Sequence, residues 1–197
     1  IAPVLLDRDK TLARVHEAMR DAAGQGARLV AFGEGLVPGY PYWPELTGGA
    51  TFDSGLQKEL HALYQHQAVD VSGGGLANTC ALAVELNLAV YLGCIERATD
   101  RSHHSLYASL VYIDPQGQIG SVHRKLQPTY DERLNWAPGD GHGLQVHDLY
   151  GFRVGGLNCW ENWMPLPRAA LYGQGENVHV AAWPGSVRNT KDIPRFI

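Results

Sequence analysis

The sequence predicts an α/β layered fold with a mixed sheet, and three observations carry that prediction. Short apolar runs bounded by glycine alternate with stretches of helical period. Two pairs of such runs are joined by strong turn signals, which marks antiparallel hairpins. The remaining runs are separated by helices, which marks parallel neighbours in the same sheet. With 197 residues, 45% hydrophobic and 18% charged, the chain can bury a substantial core. It shows no repeats or linkers, so residues 1–197 are expected to form one domain.

In chain order, Ala2–Leu6 is expected as the tail of a strand. Asp9 to Ala23 has Leu12, Val15, His16 and Met19 on one face and is closed by Gly24 and Gly26, so it is expected as a helix. Arg28–Phe32 is a buried strand that ends at Gly33-Glu34-Gly35. A loop rich in proline and aromatics follows, from Pro38 to Pro44, and loops at strand ends commonly line pockets. Ser54 can cap a helix through Gln67, with Leu56, Leu60, Leu63 and Tyr64 as its apolar stripe. Gly73-Gly74-Gly75 reads as a joint, since it lacks the lysine and the setting of a phosphate loop. A helix from Leu76 to Leu86 leads into a strand from Leu88 to Ile95. His103-His104 reads as a solvated turn, because adjacent residues on a strand point to opposite faces.

Ser105–Ile113 and Gln118–Arg124 form a hairpin about Asp114-Pro115-Gln116-Gly117. A loop runs from Leu126 to Gly143. Leu144–Tyr150 and Phe152–Leu157 form a second antiparallel pair that turns at Gly151. Cys159 follows at the strand end, ahead of a helix begun by Pro165 and Pro167. The last strand is Val178–Trp183, apolar enough for burial on both faces, and Asn189–Ile197 reads as a first helical turn.

Composition excludes several functions. A net charge of −4 offers no basic face for nucleic acid or an anionic membrane. No apolar run reaches membrane-spanning length and no signal-peptide pattern opens the chain. Three cysteines, Cys80, Cys94 and Cys159, are too scattered for a disulfide framework or a zinc site. A reducing compartment, the cytoplasm, is the simplest expectation.

Glu34, Lys125 and Cys159 share one property: each lies just past a predicted strand end, where ligand sites of open α/β sheets gather. Their chemistry is complementary. A helix N-terminus and a nearby ammonium favour thiolate, the reactive form of cysteine, and a buried carboxylate can exchange its proton. Taken singly, each has a plainer reading, as a packed thiol, a surface carboxylate or a solvated lysine.

Three blocks resemble the nitrilase superfamily of carbon–nitrogen hydrolases: Phe32-Gly33-Glu34-Gly35-Leu36-Val37-Pro38-Gly39-Tyr40-Pro41, His123-Arg124-Lys125-Leu126-Gln127-Pro128-Thr129, and Gly156-Leu157-Asn158-Cys159-Trp160-Glu161-Asn162. The resemblance implies a four-layer αββα sandwich and a catalytic triad of Glu34, Lys125 and Cys159. Cys159-Trp160-Glu161 is similar to the nitrilase branch. Glu132 resembles a further family glutamate that positions substrate and triad. The resemblance implies a small nitrile or amide substrate, no metal or cofactor, and a homo-oligomer.

On this reading Tyr40, Tyr42, Trp43, Trp136 and Trp160 are candidate pocket walls. Glu161 either supports the pocket or satisfies backbone donors beside the nucleophile, with the first preferred. The family usually has proline at the position of Gly33, so a looser turn under Glu34 is expected. Its domain also continues past the position of Ile197, so the fold is expected to be truncated at both ends, chiefly there. The expected reaction is nitrile hydrolysis to acid and ammonia. An amidase of the same superfamily and a catalytically silent binding or scaffold protein are the alternatives.

Overall fold

Strand alternation decides the layering. The computed structural model describes residues 1–185. Its helices are α1 (Arg8–Gly24), α2 (Trp43–Thr47), α3 (Gly55–Gln67), α4 (Ala77–Leu86) and α5 (Pro165–Tyr172). Strands β1 (Leu29–Ala31), β2 (Ala89–Arg97), β3 (Leu106–Ile113) and β4 (Ile119–Arg124) form one sheet in that order. Strands β5 (His147–Leu149), β6 (Phe152–Asn158) and β7 (Val178–Ala182) form a second. Each sheet is mixed: β1–β2 and β6–β7 run parallel, while β2–β3, β3–β4 and β5–β6 run antiparallel.

Successive side chains of a strand point to opposite faces. Along β2, Val90, Leu92 and Cys94 join Val15 and Met19 of α1 and Leu82 and Ala83 of α4 in one core. The intervening Ala89 and Tyr91 join Leu110, Leu149, Val154 and Ala182 in a second core between the sheets. On β6, Val154 faces that inner core, while Gly155 faces outward, beneath Leu171 of α5. The order is therefore helices, sheet, sheet, helix, which is the αββα sandwich.

Turn chemistry fixes both hairpins. Asp114 Oδ1 accepts from the N–H groups of Gln116 and Gln118, and Gly117 takes a φ of 75°. Tyr150 and Gly151 both have positive φ in the tight β5–β6 turn, as two-residue hairpins favour. Ser54 caps α3 by accepting from the N–H of Gln57.

Several expectations need correction. Ala2–Leu6 is no strand: Thr11 exchanges hydrogen bonds with both backbone groups of Val4, and Leu6 turns into the left-handed region at φ 57°. The loop from Pro38 to Pro44 ends in α2, begun by Trp43 with Pro44 at its first turn. Of the stripe proposed for α3, only Tyr64 is buried; Leu56 and Leu63 are exposed. The expected strand Leu144–Tyr150 shrinks to His147–Leu149. Val178–Trp183 is half-buried over most of its length, because β7 is an edge strand among the described residues. The helical turn expected at Asn189–Ile197 lies outside the described residues.

Leu110 is buried where the two sheets meet. Leu110→Ala removes buried methyls and leaves a cavity, so it should lower stability by about 2–5 kcal/mol. A shift in urea midpoint worth less than about 1 kcal/mol would contradict packing of the sheets through this residue.

Candidate active site

Three strand ends meet at one place. Glu34 lies three residues beyond β1, Lys125 directly follows β4, and Cys159 directly follows β6. Two of these strands belong to the first sheet and one to the second, so the site straddles the inter-sheet seam. Backbone bonds tie the pieces: the N–H of Glu34 donates to the carbonyl of Trp183 just past β7 at 3.1 Å, and that of Lys125 donates to Ala108 on β3 at 2.8 Å.

The turn beneath Glu34 is held, contrary to the looseness expected of Gly33. A Cβ at Gly33 would lie 2.4 Å from the Trp183 carbonyl oxygen, so glycine is what allows that carbonyl to reach the Glu34 N–H.

At the centre, Lys125 Nζ lies 2.8 Å from Glu34 Oε1 and 2.7 Å from Glu132 Oε2, with all three side chains almost completely buried. Glu132 is held in turn. Its Oε1 accepts from the Tyr40 hydroxyl at 2.7 Å, and its Oε2 from the Thr129 N–H at 2.6 Å. The second bond belongs to a capping box that starts a 3-10 helix, Tyr130–Leu134, within the loop expected between Leu126 and Gly143. Ligand atoms of Glu34, Glu132 and Cys159 lie within 4.8 Å of one another. That spacing could suit a cation, but the Lys125 ammonium already contacts both carboxylates.

Two carboxylates around one ammonium cannot both be fully compensated. Burial pushes Glu34 up to about 7, with Lys125 pulling against it and Glu132 adding to it. Burial alone would depress Lys125, yet Glu34, Cys159 when it ionises, and Glu132 outweigh it and hold the ammonium charged. Cys159 departs from expectation. Burial pushes its thiol well above the usual range and the Glu34 charge pushes it further, against Lys125 and the N–H of Trp160. The helix invoked to favour thiolate, α5, begins only at Pro165; Cys159 instead opens a single 3-10 turn, Cys159–Trp163. The resting pair is a neutral thiol beside a carboxyl group that titrates near neutrality, an arrangement suited to proton exchange.

Cys159 has φ 52°, a left-handed conformation that costs a non-glycine residue about 1–3 kcal/mol. Glu161, two residues on, is fully buried and does not line the pocket. Its carboxylate accepts from the N–H groups of Leu126 at 2.6 Å and Asn158 at 2.9 Å, and contacts His123 Nε2 at 3.0 Å. Leu126 follows Lys125 and Asn158 precedes Cys159, so one carboxylate ties the two strand ends together. Of the two expected roles for Glu161, satisfying backbone donors is the one observed.

A cavity of about 380 Å³ opens onto Cys159 and Glu132 and is walled by Tyr40, Tyr42, Trp160 and Trp183. Two of the expected walls stand behind it. Trp43 packs edge-on against Tyr64, with ring centroids 4.8 Å apart. Trp136 packs edge-on against Tyr40 at 5.5 Å and lies 5.5 Å from Lys125 Nζ, shielding the ammonium from water. Residue type marked both as aromatic but gave no facing. Trp183, Glu45, Tyr130 and Asp131 also line the cavity, beyond the walls expected from the sequence. Trp183 closes the strand expected over Val178–Trp183, and it falls one residue past the observed β7, which stops at Ala182.

The fold and the site together define an αββα sandwich with a buried Glu-Lys-Cys constellation. Solved structures share the fold: an amidase from Nesterenkonia sp. superposes with a TM-score of 0.70 at 17% identity, covering 98% of this chain and 66% of its own. A glutamine-dependent NAD+ synthetase from Acinetobacter baumannii matches with a TM-score of 0.65 at 20% identity, over 93% of this chain and 31% of its own. The sequence model described as carbon-nitrogen hydrolase matches residues 1–194, and the chain belongs to that family.

Within it, the chain is 36% identical over 192 residues to a protein named nitrilase 2 from an unknown prokaryotic organism, covering 98% of this chain and 59% of that one. It is 35% identical to an aliphatic nitrilase of Rhodococcus rhodochrous, over 97% of this chain and 48% of that one. It is also 35% identical to an arylacetonitrilase of Aspergillus kawachii, over 98% and 56%. The chain spans about half the length of the curated relatives it matches.

Glu161→Gln keeps the shape and removes the charge that three donors share. Stability should fall by about 1–3 kcal/mol, measured by denaturant titration. An unchanged midpoint would show that the clamp between Leu126 and Asn158 carries no energy.

Proposed function

We propose that the protein is a nitrilase, hydrolysing a small organic nitrile to the carboxylic acid and ammonia, with Glu34, Lys125 and Cys159 as catalytic residues. The observation that carries this reading is the buried contact of Lys125 with both Glu34 and Glu132 beside the cavity-lining Cys159. The relatives named as nitrilases support the choice of substrate class.

In the proposed reaction, Glu34 takes the thiol proton as Cys159 Sγ attacks the nitrile carbon, and returns it to the nitrile nitrogen. The product of that step is a thioimidate. Glu34 then takes a proton from water as the oxygen adds to the same carbon, and passes it to nitrogen. The resulting tetrahedral species collapses: its hydroxyl proton travels through Glu34 to the amino group, ammonia leaves, and a thioester remains. A second water, activated the same way, releases the acid and restores the thiol. Charge developing on the substrate is met by Lys125 and by the N–H of Trp160. Glu132 positions Lys125, while Tyr40, Tyr42 and Trp160 bind the organic part of the substrate. Glu161 acts through the strand ends rather than on substrate.

The 197 residues are read as one hydrolase domain in a cytoplasmic homo-oligomer. All three cysteines are free, which fits a reducing compartment. Phe52, Leu46 and Leu166 are large apolar side chains left in the open, which fits contacts between copies. Among the described residues no helix is long and apolar enough to cross a membrane.

Ammonia release from matched nitriles and amides of the same acids tests the reading. Faster turnover of the nitriles is expected; turnover of amides alone would make the protein an amidase. The pH profile carries a second expectation. The base form of Glu34 is needed to take the thiol proton, so kcat/KM for a neutral nitrile should rise with pH through about 7. A flat profile from pH 5.5 to 8.5 would remove Glu34 as the base. Lys125→Met keeps the stem and removes the charge, so kcat should drop about 10²–10³-fold with a much smaller change in KM. A rise in KM alone would make Lys125 a substrate-binding group instead.

A further inference from the structure

Behind the nucleophile a second polar chain runs away from the cavity. Asn162 is buried in the 3-10 turn that Cys159 opens. Its Nδ2 donates to the carbonyl oxygen of Cys159 at 2.8 Å and to that of Leu157 at 3.3 Å. Carbonyls only accept, so the orientation of this amide is determined and Oδ1 is the acceptor on its other side. That oxygen lies 2.7 Å from His179 Nε2, which must therefore carry a hydrogen. Nδ1 of the same ring lies 2.7 Å from Glu176 Oε1, so one further proton is held between imidazole and carboxylate.

The Glu176 carboxylate has its place because β6 carries glycine at 155. A Cβ there would come within 2.3 Å of Glu176 Oε1. Neither Glu176, His179 nor Asn162 lines the cavity. What they reach is the peptide between Cys159 and Trp160. Its carbonyl is held by Asn162 at 2.8 Å, and its N–H is contributed by Trp160. A peptide unit is planar, so holding one end sets the direction of the other. The left-handed backbone of Cys159 persists only where its surroundings over-determine it, and this chain of bonds does so.

We propose that Glu176, His179 and Asn162 are positioning residues: a carboxylate–imidazole–amide relay that holds the Cys159–Trp160 peptide, and with it the direction of the Trp160 N–H that meets charge developing on the substrate. The relay rests on the reading of Cys159 as nucleophile, and it acts through the backbone, without touching substrate. The imidazole serves as a spacer whose Nε2–H fixes Asn162, with the buried carboxylate fixing the ring.

Two isosteric halves of the histidine separate this role from simple packing. Glutamine at 179 can place an amide N–H where Nε2–H was, keeping the donor to Asn162. Asparagine can reach Glu176 but leaves Asn162 without its donor. In the full protein, His179→Asn and His179→Leu should lower kcat about ten- to hundredfold with KM changed less than about threefold, and His179→Gln should recover most of the loss. The rate of Cys159 alkylation by iodoacetamide, followed by peptide mass spectrometry, should keep the same order. This second readout needs no nitrile chemistry. If the wild-type protein releases no ammonia from nitriles or amides, the proposed reaction fails while alkylation still decides the relay. Equal losses in the Gln and Asn variants, or values within twofold of wild type in all three, would overturn it. If the Leu variant does not fold, the order of Gln over Asn remains the deciding comparison.

Discussion

One ammonium between two carboxylates holds the centre of this molecule. Lys125 contacts Glu34 at 2.8 Å and Glu132 at 2.7 Å in a place that water barely reaches. In such surroundings an unpaired charge is costly, and breaking a buried pair by removing one partner typically costs about 3–5 kcal/mol. The three side chains therefore constrain one another, and the elements that carry them must end where the charges can meet. A single cation cannot compensate two buried anions fully, which is why Glu34 rises to about 7 while Lys125 stays charged. The strain of that imbalance is also the source of a carboxyl group able to give and take protons near neutrality.

The layering supplies the rest. Two sheets pack face to face, and the ends of β1, β4, β6 and β7 open on one seam. Hydrogen bonds close the seam from both sides. Glu34 donates to Trp183 past β7, and Glu161 past β6 accepts from Leu126 past β4. Polar side chains thus join the two sheets where apolar packing gives way to the cavity. Cys159 is held from behind twice over, by Glu161 at the N–H of Asn158 and by Asn162 at its own carbonyl.

Much of this was legible in the sequence, and the misreadings have physical reasons. The strands of the central layers were visible because burial on both faces leaves continuous apolar runs, as in Ala89–Arg97 and Leu106–Ile113. Ala2–Leu6 gave the same signal from a turn, where the apolar residues are clasped by Thr11 rather than paired with a strand. Glu34, Lys125 and Cys159 are marked by their places after strands, whereas Trp183 belongs to the expected strand and falls past its end only because β7 stops at Ala182. Trp43 and Trp136 were marked by type alone, and type does not tell which side of a wall an indole stands on. Local reasoning about a helix N-terminus favoured a thiolate at Cys159. Burial and a neighbouring carboxylate, both set by tertiary packing, reverse that balance. Glu176 and His179 gave no sequence signal, since their partner Asn162 is brought to them only by the pairing of β6 with β7.

The proposed chemistry passes through a covalent bond from Cys159 to the substrate carbon, and that bond can be sought directly. The protein would be mixed with a slowly hydrolysed nitrile, quenched in acid within one turnover, digested and mapped by mass spectrometry. The expected result is an added mass of thioimidate or thioester on the peptide carrying Cys159, decaying at the rate of ammonia or acid release and lost in Cys159→Ala. Ammonia release by Cys159→Ala at the wild-type rate, or an adduct that forms only on Cys80 or Cys94, would contradict the thiol mechanism.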